Sequence, residues 1–193
     1  MSKQVQEKTK DKEKDKTEKK LPLMYQELKI SPKQKTIVIM RGIPGCGKST
    51  LAHALEKEFA DMKLVAKICS ADDYFMMNGK YLFNRNDIKV AHTTCLTSFT
   101  LAIANKKVQL VIVDNTNAKQ WEYDPYIKQN QKMNKGFTIK IIQFGSEAEY
   151  ADPKVVEKVY VRNKHDVPWE TVKNMVSNWQ FNSLDHVLPF SST

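Results

Sequence analysis

The residues at positions 42–49 have the types and the spacing of a phosphate-binding loop. They read GIPGCGKS and fit the pattern Gly-x-x-x-x-Gly-Lys-Ser/Thr. Glycines permit backbone conformations that other residues resist, so successive N–H groups can point at phosphate oxygens beside the positive end of the following helix. We expect Lys48 to reach the β- and γ-phosphates of a nucleotide, Ser49 to bind Mg²⁺ and Thr50 to lie near the α-phosphate. The full predicted nucleotide-binding set is Gly42, Pro44, Gly45, Cys46, Gly47, Lys48, Ser49 and Thr50.

The surroundings of this loop favour a nucleotide site over an ordinary glycine-rich turn. An apolar run of strand length precedes the loop, and a pattern of helical period follows it. Cys46 occupies a variable position of the motif, where we favour packing by a small residue over redox control. The four histidines have no metal-ligand spacing, and we interpret all of them as structural or surface residues.

Two aspartates after the second apolar run are candidates for the acceptor side of a phosphoryl transfer. Residues 70–74 read SADDY, which places carboxylates where a strand ends. An alcohol that attacks a phosphoryl group must lose its proton, and a nearby carboxylate is the usual acceptor. We predict Asp72 as the catalytic base. Either Asp72 or Asp73 could instead cap the next helix, and that alternative stays open.

Two further residues complete the predicted catalytic set. Asp114 ends an apolar run, where it would help to hold Mg²⁺ or an acceptor group, although strand-ending turns also favour aspartate. Arg162 joins two helical stretches and could fold over the triphosphate to offset charge on the transferring group. A solvated basic turn is the alternative for Arg162. The predicted catalytic residues are thus Lys48, Asp72 and Arg162, and the predicted metal ligands are Ser49 and Asp114.

The elements needed to position these residues follow an alternating pattern. Apolar runs of strand length alternate with stretches of helical period, which predicts an α/β fold with a parallel sheet and helices on both faces. The predicted strands cover residues 36–40, 65–69, 109–113 and 137–144. The predicted helices cover residues 48–59, 87–104, 119–132, 153–161 and 169–179. The last helix has apolar residues at Val172, Met175, Val176 and Trp179, so we expect that face to pack on the core.

Charge and composition separate a short first segment from the rest of the chain. Residues 1–35 hold 11 of the 31 basic and 6 of the 22 acidic residues, and the chain carries a net charge of +9. We predict a disordered lysine-rich tail and linker over residues 1–35 and one P-loop kinase domain over residues 36–193. The three cysteines have no disulfide or zinc spacing, and no apolar run approaches the length of about 18 residues that crosses a bilayer. We expect a cytoplasmic or nuclear protein without membrane contact.

The whole set of motifs resembles the polynucleotide-kinase-like branch of P-loop kinases, and especially the kinase domain of the animal Nedd-four-binding proteins and their short relatives. The matching blocks are MRGIPGCGKSTLA (40–52), SADDYF (70–75), NGKYLFN (78–84), AH (91–92), VIVDNTN (111–117), WE (121–122), PY (125–126) and RNKHDVP (162–168). The resemblance implies a parallel sheet with a helical lid, ATP and Mg²⁺ as cofactors, and 5′-hydroxyl ends of DNA or RNA as acceptors. Phage-type members carry an acceptor-binding arginine where this chain has Phe75, and Lys80 or Arg85 could replace that charge.

These observations predict an ATP-dependent phosphotransferase that acts on a hydroxyl, most simply the 5′-hydroxyl end of DNA or RNA. The same fold also phosphorylates small alcohols and nucleosides, so a small-molecule kinase is the first alternative. A non-catalytic ATP-dependent binding module is the second, and Phe75 favours it slightly. We expect a monomer; the sequence indicates no protein partner.

Overall fold

The computed structural model describes residues 24–190, which fold around one five-stranded parallel sheet. Its strands are β1 (Thr36–Arg41), β2 (Val65–Cys69), β5 (Val108–Asp114), β6 (Thr138–Phe144) and β7 (His186–Leu188), in the order β2-β5-β1-β6-β7. A separate antiparallel hairpin pairs β3 (Met76–Met77) with β4 (Lys80–Tyr81). The four predicted strands are confirmed to within one residue at each end.

Seven α-helices surround the sheet in the described part of the chain. They are α1 (Met24–Glu27), α2 (Lys48–Asp61), α3 (Ile88–Ala104), α4 (Gln120–Met133), α5 (Glu147–Ala151), α6 (Pro153–Tyr160) and α7 (Trp169–Ser177). The five predicted helices are confirmed, each to within two residues at its ends. The remaining two, α1 and α5, are one turn long and give no clear periodic signal. Within residues 24–190, no helix is both long and apolar enough to cross a bilayer.

Both faces of the sheet are covered, which explains why β1 is buried at every position. Val38 and Met40 face the layer that contains α2, α6 and α7, while Ile37 and Ile39 face the layer of α3 and α4. Val172 at 0% exposure, with Met175 and Val176 partly buried against the core, confirms that the apolar face of α7 packs on the core; Trp179, two residues past its end, is 8% exposed. The result is a three-layer α/β arrangement with the phosphate loop at the carboxyl end of its central strand.

The prediction of a linker up to residue 35 is wrong for the part that the structure describes. Leu28 and Ile30 are buried in the core, and the backbone N–H groups of Met24 and Tyr25 donate to the Glu58 carboxylate at 2.8 and 3.0 Å. These contacts join the segment to α2, so the domain begins before β1. The predicted disorder of the lysine-rich tail concerns residues that, up to position 23, lie outside the described part of the chain.

A buried arginine connects the segment just before β7 to the central strand. Arg41, the last residue of β1, is fully buried and forms a salt bridge with Asp185, whose side chain is also fully buried. Its guanidinium also donates to Gln143 at 3.1 Å and lies over the rings of Tyr123 and Trp179 at 5.1 and 5.3 Å. Since the phosphate loop starts at the next residue, this cluster fixes the point from which the loop leaves the sheet.

Candidate nucleotide and acceptor site

A cleft of about 2110 Å³ lies at the carboxyl edge of the sheet and brings the predicted catalytic residues together. Lys48, Asp72, Asp114 and Arg162 all line it, although they come from four separate parts of the chain. Parallel strands end at the same sheet edge, which is why residues that follow β1, β2 and β5 meet there. Pro44, Gly45, Cys46, Gly47, Ser49 and Thr50 line the same cleft, whereas Gly42 is buried outside the lining.

The shape of the phosphate loop depends on two glycines. Gly47 precedes α2 with φ 100°, and Gly45 has φ 86°, which are values that side chains strongly disfavour. A Cβ atom at Gly45 would lie 2.2 Å from the carbonyl oxygen of Val159. The loop therefore packs directly against the end of α6, and this contact places the segment that carries Arg162 beside the loop.

Lys48 turns inward over the loop that it follows. Its Nζ donates to the carbonyl oxygens of Gly42 and Ile43, at 2.8 and 3.2 Å. Cys46 lies next to it and is 1% exposed; burial raises the pKa of its thiol, an effect that the Lys48 charge opposes. A Cβ atom at Gly42 would meet the Cys46 Sγ at 2.4 Å, so the thiol fills the space beneath the loop. The interpretation of Cys46 as a packing residue is thus confirmed by its surroundings.

Asp72 is approached from two sides. It lies in a 3-10 helix (Asp72–Phe75) just after β2, and its Oδ1 accepts a hydrogen bond from the Tyr81 hydroxyl at 2.8 Å. His165 approaches from the connection between α6 and α7, with Nε2 3.8 Å from Asp72 Oδ2. Burial and the hydrogen bond to the carboxylate both raise the pKa of Tyr81, which keeps the hydroxyl protonated as a donor. The sequence interpretation of His165 as structural or surface overlooked this contact.

The capping alternative for the two aspartates is wrong. Both Asp72 and Asp73 lie inside the 3-10 helix, and Ala71 occupies the capping position. Burial raises the pKa of Asp73; a hydrogen bond from Ser70 opposes the shift, and the carboxylates of Asp72 and Asp114 add to it. Of the two aspartates, Asp72 lines the cleft and Asp73 does not.

Asp114 ends β5 directly beside the start of the phosphate loop. It is paired in register with Met40 of β1 and is only 7% exposed. Its backbone carbonyl accepts a hydrogen bond from Ser70 at 2.9 Å, which ties the ends of β2 and β5 together. Ser49 and Asp114 supply oxygen donors, which suit Mg²⁺ because this ion usually combines one or two carboxylates with substrate phosphates and water. Within residues 24–190, no group of three or more His, Cys, Asp or Glu side chains could hold a metal by itself.

Residues 115–117 hold the site together, and sequence reasoning treated them only as turn residues. The Asn115 side chain accepts from the Ala71 N–H at 2.9 Å and donates to the Tyr126 hydroxyl at 3.2 Å. Asn117 donates to the Met40 carbonyl at 2.8 Å, and the carbonyl of Thr116 accepts from Gly42 at 3.0 Å. These bonds link the end of β5 to both the phosphate loop and the Asp72 segment. The signal available beforehand was the run of polar residues after a buried strand.

Arg162 lies two residues beyond the end of α6 and lines the cleft in a half-buried position. Its backbone N–H donates to the Val159 carbonyl at 3.1 Å, the residue against which Gly45 packs. The structure therefore places Arg162 on the phosphate-loop side of the cleft, as the lid interpretation requires. Its role toward a triphosphate remains a prediction.

Comparison with known sequences connects this site to a protein family. A family model described as AAA domain matches residues 37–181. NEDD4-binding protein 2 of Homo sapiens is 32% identical over 145 residues, which are 75% of this chain and 8% of that relative. The 2′,3′-cyclic-nucleotide 3′-phosphodiesterase of Mus musculus is 29% identical over 113 residues, which are 58% of this chain and 25% of that relative. The chain thus spans a quarter or less of the length of these curated relatives.

Solved structures confirm the predicted kinase-type P-loop fold. The APS kinase CysC of Mycobacterium tuberculosis, in complex with AMPPNP and APS, matches with a TM-score of 0.55 and 18% identity over 83% of this chain and 91% of that chain. A fungal RNA kinase matches with a TM-score of 0.52 and 17% identity over 83% of this chain and 76% of that chain. At these identities the likeness shows the fold alone.

Proposed function

The chain belongs to the AAA domain family, and from that premise we propose that it is an ATP-dependent phosphotransferase whose acceptor is the 5′-hydroxyl end of DNA or RNA. The observation that carries the proposal is the meeting of Lys48, Asp72, Asp114 and Arg162 in one cleft. A triphosphate-binding loop and a proton acceptor on one cavity wall are the two parts that transfer to a hydroxyl needs.

In the proposed reaction the acceptor oxygen forms a bond to the γ-phosphorus while the bond from that phosphorus to the bridging oxygen of ADP breaks. Asp72 takes the proton of the attacking hydroxyl, and the Tyr81 hydrogen bond orients its carboxylate. Lys48 and Arg162 offset negative charge on the transferring group. Bound Mg²⁺, held by Ser49 and Asp114 with the phosphates, would add to that charge neutralisation.

The names of the relatives are consistent with an acceptor that contains nucleotides. One solved structure of the same fold is that of a fungal RNA kinase, and one curated relative is named for its action on 2′,3′-cyclic nucleotides. Another solved structure holds APS as its ligand, so a small-molecule acceptor is the competing outcome. The second alternative is a binding module: if no acceptor reaches Asp72, the protein binds ATP without transferring phosphate.

Transfer of label from γ-labelled ATP to a panel of acceptors tests the proposal. We expect labelling of 5′-hydroxyl DNA or RNA oligonucleotides and weaker or no labelling of nucleosides and polyols. Asp72→Asn should lower the transfer rate by about 10²- to 10⁴-fold, which is the usual contribution of a general base. Asp61→Asn, an exposed aspartate at the end of α2, is the matched control and should keep wild-type activity. Full activity of Asp72→Asn would reject the mechanism, and labelling of small alcohols alone would reject the acceptor.

A further inference from the structure

The cleft continues beyond Asp72 onto exposed aromatic side chains that the proposed chemistry does not use. Phe83 and Trp121 line it while 56% and 68% of their surfaces are exposed. Large apolar side chains that stay exposed inside a cavity and are rimmed by polar residues mark a site for a ligand or partner. The part of the cleft next to Asp72 is therefore suited to flat, apolar groups.

Phe83 is held as a platform close to the predicted base. Residues 81 and 83 are two apart on an extended segment, so their side chains share a face, and the two rings are within 13° of parallel with centroids 6.5 Å apart. The buried ring of Phe75 packs against Phe83, with the two ring centroids 5.1 Å apart. The Tyr81 hydroxyl donates to Asp72, and the Tyr81 ring contacts the His165 ring with centroids 4.4 Å apart. Of Tyr81 and Phe83, the ring that is accessible to a ligand is therefore Phe83, with 56% of its surface exposed.

Two cations lie beside this platform. Arg85 is in the 3-10 helix Arg85–Asp87 and Lys89 is in the first turn of α3, and both line the cleft. Of the two residues that could replace the arginine absent at position 75, Arg85 lines the cleft and Lys80 lies outside it. Positive charge thus lies in the same cleft as the aromatic platform.

The geometry points to a subsite for single-stranded nucleic acid, in which the 5′-terminal base stacks on Phe83 and the phosphates that follow it contact Arg85 and Lys89. This inference rests on the proposed function, since it orients the 5′-hydroxyl toward Asp72. Aromatic rings beside a basic groove are the usual means of holding an unpaired strand. Each base has a face that can stack on a ring, and each phosphate between nucleotides carries a negative charge. A polyol has no face to stack, and duplex bases are already stacked on one another.

Binding of a fluorescent 5′-hydroxyl DNA oligonucleotide, measured by anisotropy without ATP, tests this subsite. Phe83→Ala should weaken binding roughly 5- to 100-fold, as removal of one stacked base contact does. Phe83→Tyr should restore it. Leu82→Ala is the matched control because Leu82 is 55% exposed, adjacent in the chain and outside the cleft. Lys89→Ala should weaken binding and reduce its salt dependence, compared with Lys107→Ala, an exposed lysine in the turn between α3 and β5.

An oligonucleotide with an abasic 5′-terminal residue assigns the contact to one base. With this ligand the loss caused by Phe83→Ala should disappear, because the ring then has no base to stack on. The inference is overturned if Phe83→Ala binds like Leu82→Ala, if its loss is the same for the abasic ligand, or if a blunt duplex binds more tightly than the single strand. The inference is equally overturned if the wild-type protein does not bind the oligonucleotide.

The two proposals fail in distinguishable ways. Binding that depends on Phe83 without transfer of phosphate would contradict the kinase reaction and leave the subsite standing. Transfer to oligonucleotides that is unchanged in Phe83→Ala at subsaturating acceptor would contradict the subsite and leave the kinase reaction standing.

Discussion

At Asp72, a tyrosine hydroxyl and a histidine imidazole approach the two oxygens of one carboxylate from different parts of the chain. Tyr81 belongs to the hairpin and His165 to the connection between α6 and α7. The Tyr81 bond fixes the rotation of the carboxylate, so that Oδ2 is directed toward the connection that also carries Arg162. Orientation of the predicted base therefore depends on residues that never touch ATP in the proposed reaction.

Loss of the Tyr81 hydroxyl should slow transfer without weakening ATP binding. Tyr81→Phe removes a hydrogen bond to a charged group, worth about 1.5–3 kcal/mol, and we expect kcat to fall by about 10-fold or more. Steady-state kinetics and calorimetric titration with ATP measure the two quantities. Tyr74→Phe is the control, because Tyr74 lies in the same 3-10 helix as Asp72 but outside the cleft. Equal kcat values for the two variants would show that the bond does not orient the base.

The sequence predicted the residues that would take part in the reaction, but not the residues that hold them in position. Lys48, Asp72 and Asp114 could be predicted because each follows a recognisable strand, and the carboxyl ends of parallel strands share one edge. Tyr81 and His165 reach Asp72 only through the folded arrangement of the hairpin and of the segment after α6, neither of which has a periodic pattern. Arg41 reads as an ordinary charged residue because its burial depends on Asp185, which is 144 positions away.

At the scale of elements, the end of α6 and the phosphate loop are fitted to each other. Gly45 leaves no room for a side chain against the Val159 carbonyl, and the Asn163 backbone nitrogen would lie only 3.1 Å from an added Cβ atom. A displacement of the loop would therefore also displace the segment with Arg162. This close contact is how a loop that binds a triphosphate could be linked to a lid that covers it.

Gly45→Ala should uncouple these two elements. Gly136 has a similar φ of 77° but open space around its missing Cβ, so Gly136→Ala carries the cost of backbone strain alone, about 1–2 kcal/mol. We expect Gly45→Ala to lower the free energy of unfolding by more than this control and to weaken ATP binding at least 10-fold. Urea unfolding and ATP titration measure both effects. Equal stability and equal ATP affinity of the two variants would contradict the coupling.

Short elements are the ones that sequence reasoning missed. The β3–β4 hairpin has two residues per strand, and β7 has three, which is too few for a period of two to be recognised. The prolines and charged residues around Leu28 and Ile30 favour a linker, so the sequence pattern does not indicate that these two side chains are buried. By contrast, α3 runs for 17 residues and was found with nearly correct bounds.

For the molecule as a whole, all three cysteines are buried thiols. Burial raises the pKa of Cys69 from an ordinary value of 9.0 to about 12, and it also raises the pKa of Cys46 and of Cys95. The folded protein therefore keeps protons that the unfolded chain releases above pH 9. Below pH 9 both states hold these protons, and the stabilising contribution of the neutral thiols is fully present.

The free energy of unfolding should decrease as pH rises from about 9 toward 12, because the unfolded state binds fewer protons in that range. Urea unfolding under reducing conditions, below and above pH 9, measures the change. Cys69→Ala should show a shallower decrease than the wild type. A wild-type free energy that stays constant or increases over this range would contradict the assignment.

The most direct test of the central claim is the position of the phosphate after reaction of the wild-type protein with γ-labelled ATP, Mg²⁺ and a 5′-hydroxyl oligonucleotide. Digestion of the product to mononucleotides shows which oxygen received the group. The account predicts label in the 5′-mononucleotide of the first residue. Label that remains entirely in ATP or in inorganic phosphate would contradict it.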